Sequence, residues 1–362
     1  MKSFNILLFL LLGSLAMASP HPVDKYKKTK RINKTYSVNS DAMVQIENSF
    51  GDVTVKLWDQ NTVRIEVIVE VSGNDEARVN ERLDRIDVAF SSSKSKISAE
   101  STIPSENVGG LMSLLGLGPN KNTSTRVDYI VSMPKNSPLD VDNDYGAVII
   151  EKMNAPLKLS CDFGRLQIGQ LLDPGNILSF DYTTNSHIDY MKGGSIKADF
   201  SKFTVHGADG ITFSGDYTTA NFGPLDNIMY NSDFSTISFD TIASIDGRGD
   251  YSTVKIGTVV KEAVLKADFG SISIKDLGKD FKNLNIKSDY TTVNVSYDRD
   301  ASFNYECKTE FGTLKLDPNL TTVNSRKEMN EIYKEGYSKL QDGEGTIQIN
   351  SSFGSVTLKS NN

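Results

Sequence analysis

From residue 139 onward, apolar and polar positions alternate in short runs, and the runs recur around an aromatic residue. That aromatic is Tyr145, Phe163, Tyr182, Phe200, Tyr217, Phe234, Tyr251, Phe269, Tyr290 and Phe311, with outlying copies at Phe50 and Phe353. Successive spacings from Tyr145 are 18, 19, 18, 17, 17, 17, 18, 21 and 21 residues, and the 42-residue step from Phe311 to Phe353 reads as two periods with one degenerate copy. Three and five residues after the aromatic stand apolar pairs such as Leu166 and Ile168; six and four before it come pairs such as Leu157 and Leu159. Two before it the residue is usually small, as at Cys161, Ala198 and Gly215. Period two marks a half-buried strand. The apolar parity is even before the aromatic and odd after it, so one residue is slipped at the Asp-aromatic-Gly/Ser/Thr step and a bulge or corner belongs there.

Such a unit cannot bury its apolar face alone, so copies must stack. The predicted fold is all-β: a parallel β-solenoid of 17–21-residue repeats over residues 139–362, behind an N-terminal β-rich cap (residues 35–138) with one short helix. Two arrangements fit the alternation of Phe and Tyr. Either each copy is one coil, or two copies make a coil of about 36 residues with Phe on one side and Tyr on the other. In the cap, strands are expected at 63–71, 86–98 and 126–133, with a helix from Asn74 to Ile86, Asn74 as its N-cap and Val79, Leu83 and Ile86 on one face. Residues 325–340 are charged and read as a helix-prone excursion.

Residues 1–18 read as a signal peptide: Lys2 is the charged end, Ile6–Leu12 the apolar run and Ala16-Met17-Ala18 the cleavage site, followed by a flexible lead-in over 19–34. No later run reaches the about 20 apolar residues a bilayer span needs. The expectation is a secreted or periplasmic protein, with cell-surface association left open. Net charge is −7, and the acidic balance argues against a nucleic-acid partner. Two cysteines and three histidines leave little for a disulfide framework or a Cys/His zinc site. Cys161 and Cys307 both fall on inward positions eight copies apart, about 38 or 19 Å in the two coil arrangements against a disulfide limit of about 7 Å. They are expected as buried free thiols.

The Asn48-Ser49-Phe50-Gly51-Asp52-Val53-Thr54-Val55 opening, the Trp58-Asp59 after it, the serial Asp-Phe-Gly and Asp-Tyr-Thr units and the closing Ser352-Phe353-Gly354-Ser355-Val356 resemble the putative adhesin family. These are exported bacterial β-solenoid proteins of the Bacteroidetes type, without a defined activity. The resemblance spans roughly residues 35–362 and implies secretion, a β-solenoid and a surface-binding role. It carries over no catalytic or binding residue and no cofactor.

Several motifs invite chemistry. Arg248-Gly249-Asp250 spells an integrin-recognition tripeptide, but Gly249 and Asp250 belong to the repeat. Asp162-Phe163-Gly164 and Asp268-Phe269-Gly270 mimic a kinase metal loop without its other motifs. A column of Asp144, Asp162, Asp181, Asp199, Asp216, Asp233, Asp250, Asp268 and Asp289 stacks like charges. Each carboxylate is expected to cap its own corner by accepting the N–H two residues on; the alternative is a calcium ladder through Asp162, Asp181, Asp199, Asp216, Asp233, Asp250, Asp268 and Asp289. His187 and Asn185 occupy inward slots of their copy, so a local slip is expected to turn Ile188 inward and His187 outward, and His206 is expected on the opposite side from His187. Leu111, Met112, Leu114, Leu115 and Leu117 form an apolar loop suited to a partner contact.

Together these features predict a non-enzymatic, adhesin-like binding protein that presents a repetitive face to a glycan, envelope polymer or protein. The alternative is a structural envelope spacer or stress-related scaffold without a small ligand. A polysaccharide-processing enzyme is disfavoured, since no carboxylate cluster stands apart from the repeat Asp.

Overall fold

The computed structural model describes residues 24–104 and 123–361; residues 1–18, read from the sequence as a signal peptide, lie outside them. Among the described residues 28 strands join one hydrogen-bonded network, with one helix, Glu76–Arg85. The chain is all-β, and pairing through its centre is parallel. Each copy places one strand before its aromatic and one after it. Leu157–Asp162 pairs in parallel with Leu139–Asp144, and beyond the corner Arg165–Leu171 pairs with Ala147–Met153. Consecutive aromatic rings stack with centroids 4.7–5.1 Å apart and planes within 2–7°. One copy therefore makes one rung, which excludes the two-copy arrangement.

The inward positions are those the parity selects. Leu157, Leu159, Cys161, Leu166 and Ile168 are at most 1% exposed. Cys161 and Cys307 are free and buried, and that burial pushes both thiols up to about 12. Directly after the aromatic, mid-stack copies carry a buried hydroxyl: Thr183, Ser201, Thr218, Ser235 and Ser252. Each hydroxyl from Ser201 to Ser252 accepts the N–H of its counterpart one rung earlier at 3.0–3.2 Å, and each of the four also donates to a backbone carbonyl. The corner's buried polar groups are thus satisfied inside the stack. Where the position is glycine the rungs leave no room: a Cβ on Gly146 would lie 1.8 Å from the Gly51 carbonyl oxygen.

At the N-terminal end Met43–Ser49 is flanked by Lys96–Thr102 in parallel, which runs antiparallel to Asp87–Ser92. Past the corner, Val53–Trp58 pairs with Thr123–Pro134, followed by antiparallel Thr62–Gly73 and Tyr26–Ser37. Residues 26–34 are therefore a strand where a flexible lead-in was expected. Their half-buried Tyr26, Lys28, Lys30 and Ile32 alternate with exposed residues, and Lys27–Glu70 (2.7 Å) and Lys28–Glu76 (2.8 Å) tie them down. The helix starts one residue later than expected. Asp75, not Asn74, is the N-cap, its Oδ1 accepting the N–H of Ala77 at 3.0 Å and of Arg78 at 3.2 Å.

The C-terminal end departs further. Residues 325–340 hold no helix: Thr321–Lys327 and Glu331–Ser338 form an antiparallel hairpin paired onto Phe303–Glu310. An open strand edge there outweighs the local helix propensity of a charged segment. Nor is a copy degenerate. The rung of Gly345–Ser352 and Ser355–Ser360 lies between that of Asn283–Asp289 and Thr292–Tyr297 and that of Phe303–Glu310 and Thr313–Leu316. The rings accordingly stack in the order Tyr290, Phe353, Phe311.

Candidate functional site: an exposed aromatic ladder

All twelve aromatics adopt a left-handed backbone, with φ of 48–65°. This conformation costs an L-residue roughly 1–2 kcal/mol, and a bulky side chain seldom adopts it. It is the corner that the parity slip requires, and it turns the ring out of the core. From Phe163 onward the rings are 47–56% exposed. Stacking offsets much of the strain, at about 0.5–1.5 kcal/mol per aromatic pair beyond area burial. Eleven steps of about 4.9 Å make a continuous ladder about 54 Å long from Phe50 to Phe311.

Stacking decides what the ladder can offer. Each ring covers the faces of its neighbours, so what solvent meets along its length is ring edges, carrying the positive rim of the quadrupole, and, as far as Tyr290, Tyr hydroxyls on alternate rungs. A flat sugar or base cannot lie on a ring face except at the ladder's ends. Recognition along the length therefore runs through polar contacts to ring edges, hydroxyls and the flanking columns.

Asp occupies the column next to the ring. The N–H of Asp181 donates to Asp162 Oδ1 at 3.1 Å, Asp199 to Asp181 at 2.9 Å, Asp216 to Asp199 at 2.8 Å, Asp233 to Asp216 at 2.9 Å and Asp250 to Asp233 at 2.8 Å. This corrects the expected own-corner cap. The left-handed ring residue leaves these five carboxylates, Asp162 to Asp233, reaching along the stack, where each accepts the next rung's N–H. Burial, and then neighbouring carboxylates, raise Asp144 and Asp268 above the ordinary range; in Asp162 the same two causes outweigh the Asp181 N–H. Among the described residues no cluster of three or more His, Cys, Asp or Glu side chains is arranged to hold a metal ion.

Three residues before the ring, the column changes sign along the stack: Glu47 and Asp142 near the N-terminal end, then Arg248, Lys266, Lys287 and Lys308 toward the other. Arg248 pairs in register with Lys266 and Lys266 with Lys287. With Asp250, Asp268, Asp289 and Glu310 these cations line a groove of about 540 Å³ beside the ladder. Arg248 lies 3.8 Å from Asp250, and Lys308 2.7 Å from Glu310. The signal for the groove lies in this column, read across copies.

The remaining motifs resolve differently. Arg248-Gly249-Asp250 crosses from strand to corner as part of these columns, and the Asp-Phe-Gly triplets are corners of the ladder. Asn185 takes a second left-handed turn (φ 55°), burying Ile188 and turning His187 outward. That turn brings the His187 and His206 rings to 6.2 Å, with His206 3.3 Å from Asp189, so the two histidines share a side, contrary to expectation. Leu111, Met112, Leu114, Leu115 and Leu117 lie outside the described residues.

No protein-family model matches the sequence, and no curated protein matches it at significant similarity. Similar solved structures, at low sequence identity, include proteins described as putative adhesins, a putative cell adhesion protein and a putative lipid binding protein. A "putative cell adhesion protein" from Clostridium sporogenes shares 12% identity, with 92% of this chain and 100% of that one covered and a TM-score of 0.19. A "putative adhesin" from Parabacteroides distasonis shares 10% over 74% and 97% of the two chains, with a TM-score of 0.34. A "putative lipid binding protein" from the same species shares 10% over 75% and 97%, with a TM-score of 0.36.

Proposed function

We propose that the rungs form a β-solenoid and that the protein is an exported, non-enzymatic binding protein. Its aromatic ladder and flanking columns present a regular array to an extended, repetitive partner, best a polysaccharide of the cell envelope. One observation carries this reading: ten rings in an unbroken row stand about half exposed, each held in a backbone conformation that glycine would adopt at less cost. Backbone strain that persists on a surface points to use of that surface. The edge-on stack fits a polymer of hydroxyl and charged groups read at rung spacing, by Tyr hydroxyls, Asp carboxylates and the cations of the groove. The ligand enters along a line, so no single residue is indispensable and avidity accumulates over rungs.

The test is co-sedimentation of the mature chain with insoluble envelope polysaccharides, beside a variant carrying Tyr182→Phe, Tyr217→Phe, Tyr251→Phe and Tyr290→Phe. The variant keeps the stack and loses four hydroxyls, so it should melt as the parent does and bind at least tenfold more weakly. Equal binding would remove the ladder from recognition. Running the same measurements with calcium and with chelator tests the Asp162-to-Asp289 column as a calcium ladder; an unchanged melting midpoint leaves the backbone N–H groups as its partners.

A structural spacer is the second reading, favoured by one feature: the Asp carboxylates spend an oxygen on the stack itself.

A further inference from the structure

Beyond Tyr297 the chain skips a place. Residues 298–302 carry it across two rungs, Phe303–Glu310 and Thr313–Leu316 are laid down, and the hairpin of Thr321–Lys327 and Glu331–Ser338 follows. Only then do Gly345–Ser352 and Ser355–Ser360 fill the vacant rung. They pair in parallel on both flanks, seven and eight residue pairs before the corner and six and four after it. Until they arrive, four strands face the slot with unpaired edges, the arrangement that invites a strand from another chain.

The filling rung is matched to its slot. Asn350 stands between Lys287 and Lys308, and Ser352 between Asp289 and Glu310, so neutral residues separate two like-charged pairs. Ile347, Ile349, Val356 and Leu358 are fully buried, and the Phe353 ring is sandwiched by Tyr290 and Phe311. A short link, residues 339–344, joins it to the hairpin; it begins at Lys339 in a left-handed conformation (φ 65°) and carries Leu340 67% exposed. Short strained hinges favour exchange of the element they tether.

We propose that residues 345–360 are a donor rung, and that a second copy of this chain inserts its own 345–360 into the slot between the Tyr290 and Phe311 rungs, reciprocal exchange closing a dimer. The rung that fits the slot is supplied in trans by the sequence that supplies it in cis. Ser288 and Ser351 face each other across the slot, Oγ to Oγ 3.1 Å, both buried. One full-length chain carries Ser288→Cys and another Ser351→Cys; they are mixed in denaturant, refolded together and left to oxidise. Exchange predicts a reductant-sensitive heterodimer whose yield rises with chain concentration and which neither variant forms alone. A chain carrying both substitutions must close the same disulfide within itself at low concentration, which shows that the geometry permits it. If that chain closes while the mixture yields only monomers with free thiols, exchange does not occur and the proposal fails.

Discussion

Between Tyr145 and Tyr290 the stack follows the chain, each rung lying on the one before; past Tyr290 the chain overshoots by one rung and returns to fill the gap. The middle is quasi-one-dimensional, so each rung depends on its immediate neighbours. The end depends on contacts across 63 residues, as between Ser288 and Ser351, and on closing the loop that contains the hairpin. Parallel backbone pairing treats any two rungs alike. Order at the end is therefore chosen by side-chain columns and by what the connections reach.

Core truncation breaks this contrast most strongly. Ile168→Ala in the middle and Ile349→Ala in the inserted rung should each cost about 2–5 kcal/mol. The first should lower the midpoint of global unfolding. The second should chiefly open residues 345–360, seen as faster amide exchange there while 157–171 stay protected. Equal exchange in both regions would make the stack one cooperative unit. A smaller effect separates strain from stacking. Tyr217→Ala and Tyr217→Gly both lose two stacked contacts, yet alanine keeps the left-handed penalty, so it should be the less stable by about 1 kcal/mol in denaturant titrations. If the two match, the backbone has relaxed and the strain is not local.

The smallest effect is a difference in the sign of pH dependence. Burial and neighbouring carboxylates raise Asp162, so its contribution to stability is full in acid and is lost as pH rises through its raised folded pKa. At the C-terminal end burial would raise Asp317 too, but N–H donors from Ser360 and Asn319 and the Ser360 hydroxyl outweigh it and hold the carboxyl low. Its stability is present above the unfolded pKa and is lost as pH falls. Asp162→Asn should therefore remove an acid gain and Asp317→Asn an acid loss, read as opposite changes in the slope of midpoint against pH. Slopes of one sign would refute the assignment.

Which side chains point inward, where the corner falls and that the thiols are buried were all legible in residue order, because each depends on alternation within one unit. The hairpin at 321–338 and the strand at 26–37 were not. Both are edges recruited by a neighbouring strand, and local composition is silent about which edge lies nearby. The left-handed aromatic was half legible: the parity slip demanded a corner, but no bulky residue announces positive φ on its own. The side-chain columns that flank the ladder follow from the period once a register is known.

The sequence by itself determined a rung: two short strands, a slipped corner, an inward apolar face and an outward ring. Tertiary structure alone decided the order of rungs, the edge-on exposure of the rings and the coupling of the mid-stack Asp carboxylates to the next rung's N–H. The physical reason is common to all three. They arise from contacts between copies, and a backbone ladder joins any copy to any other until packing, charge and the length of the connections select one.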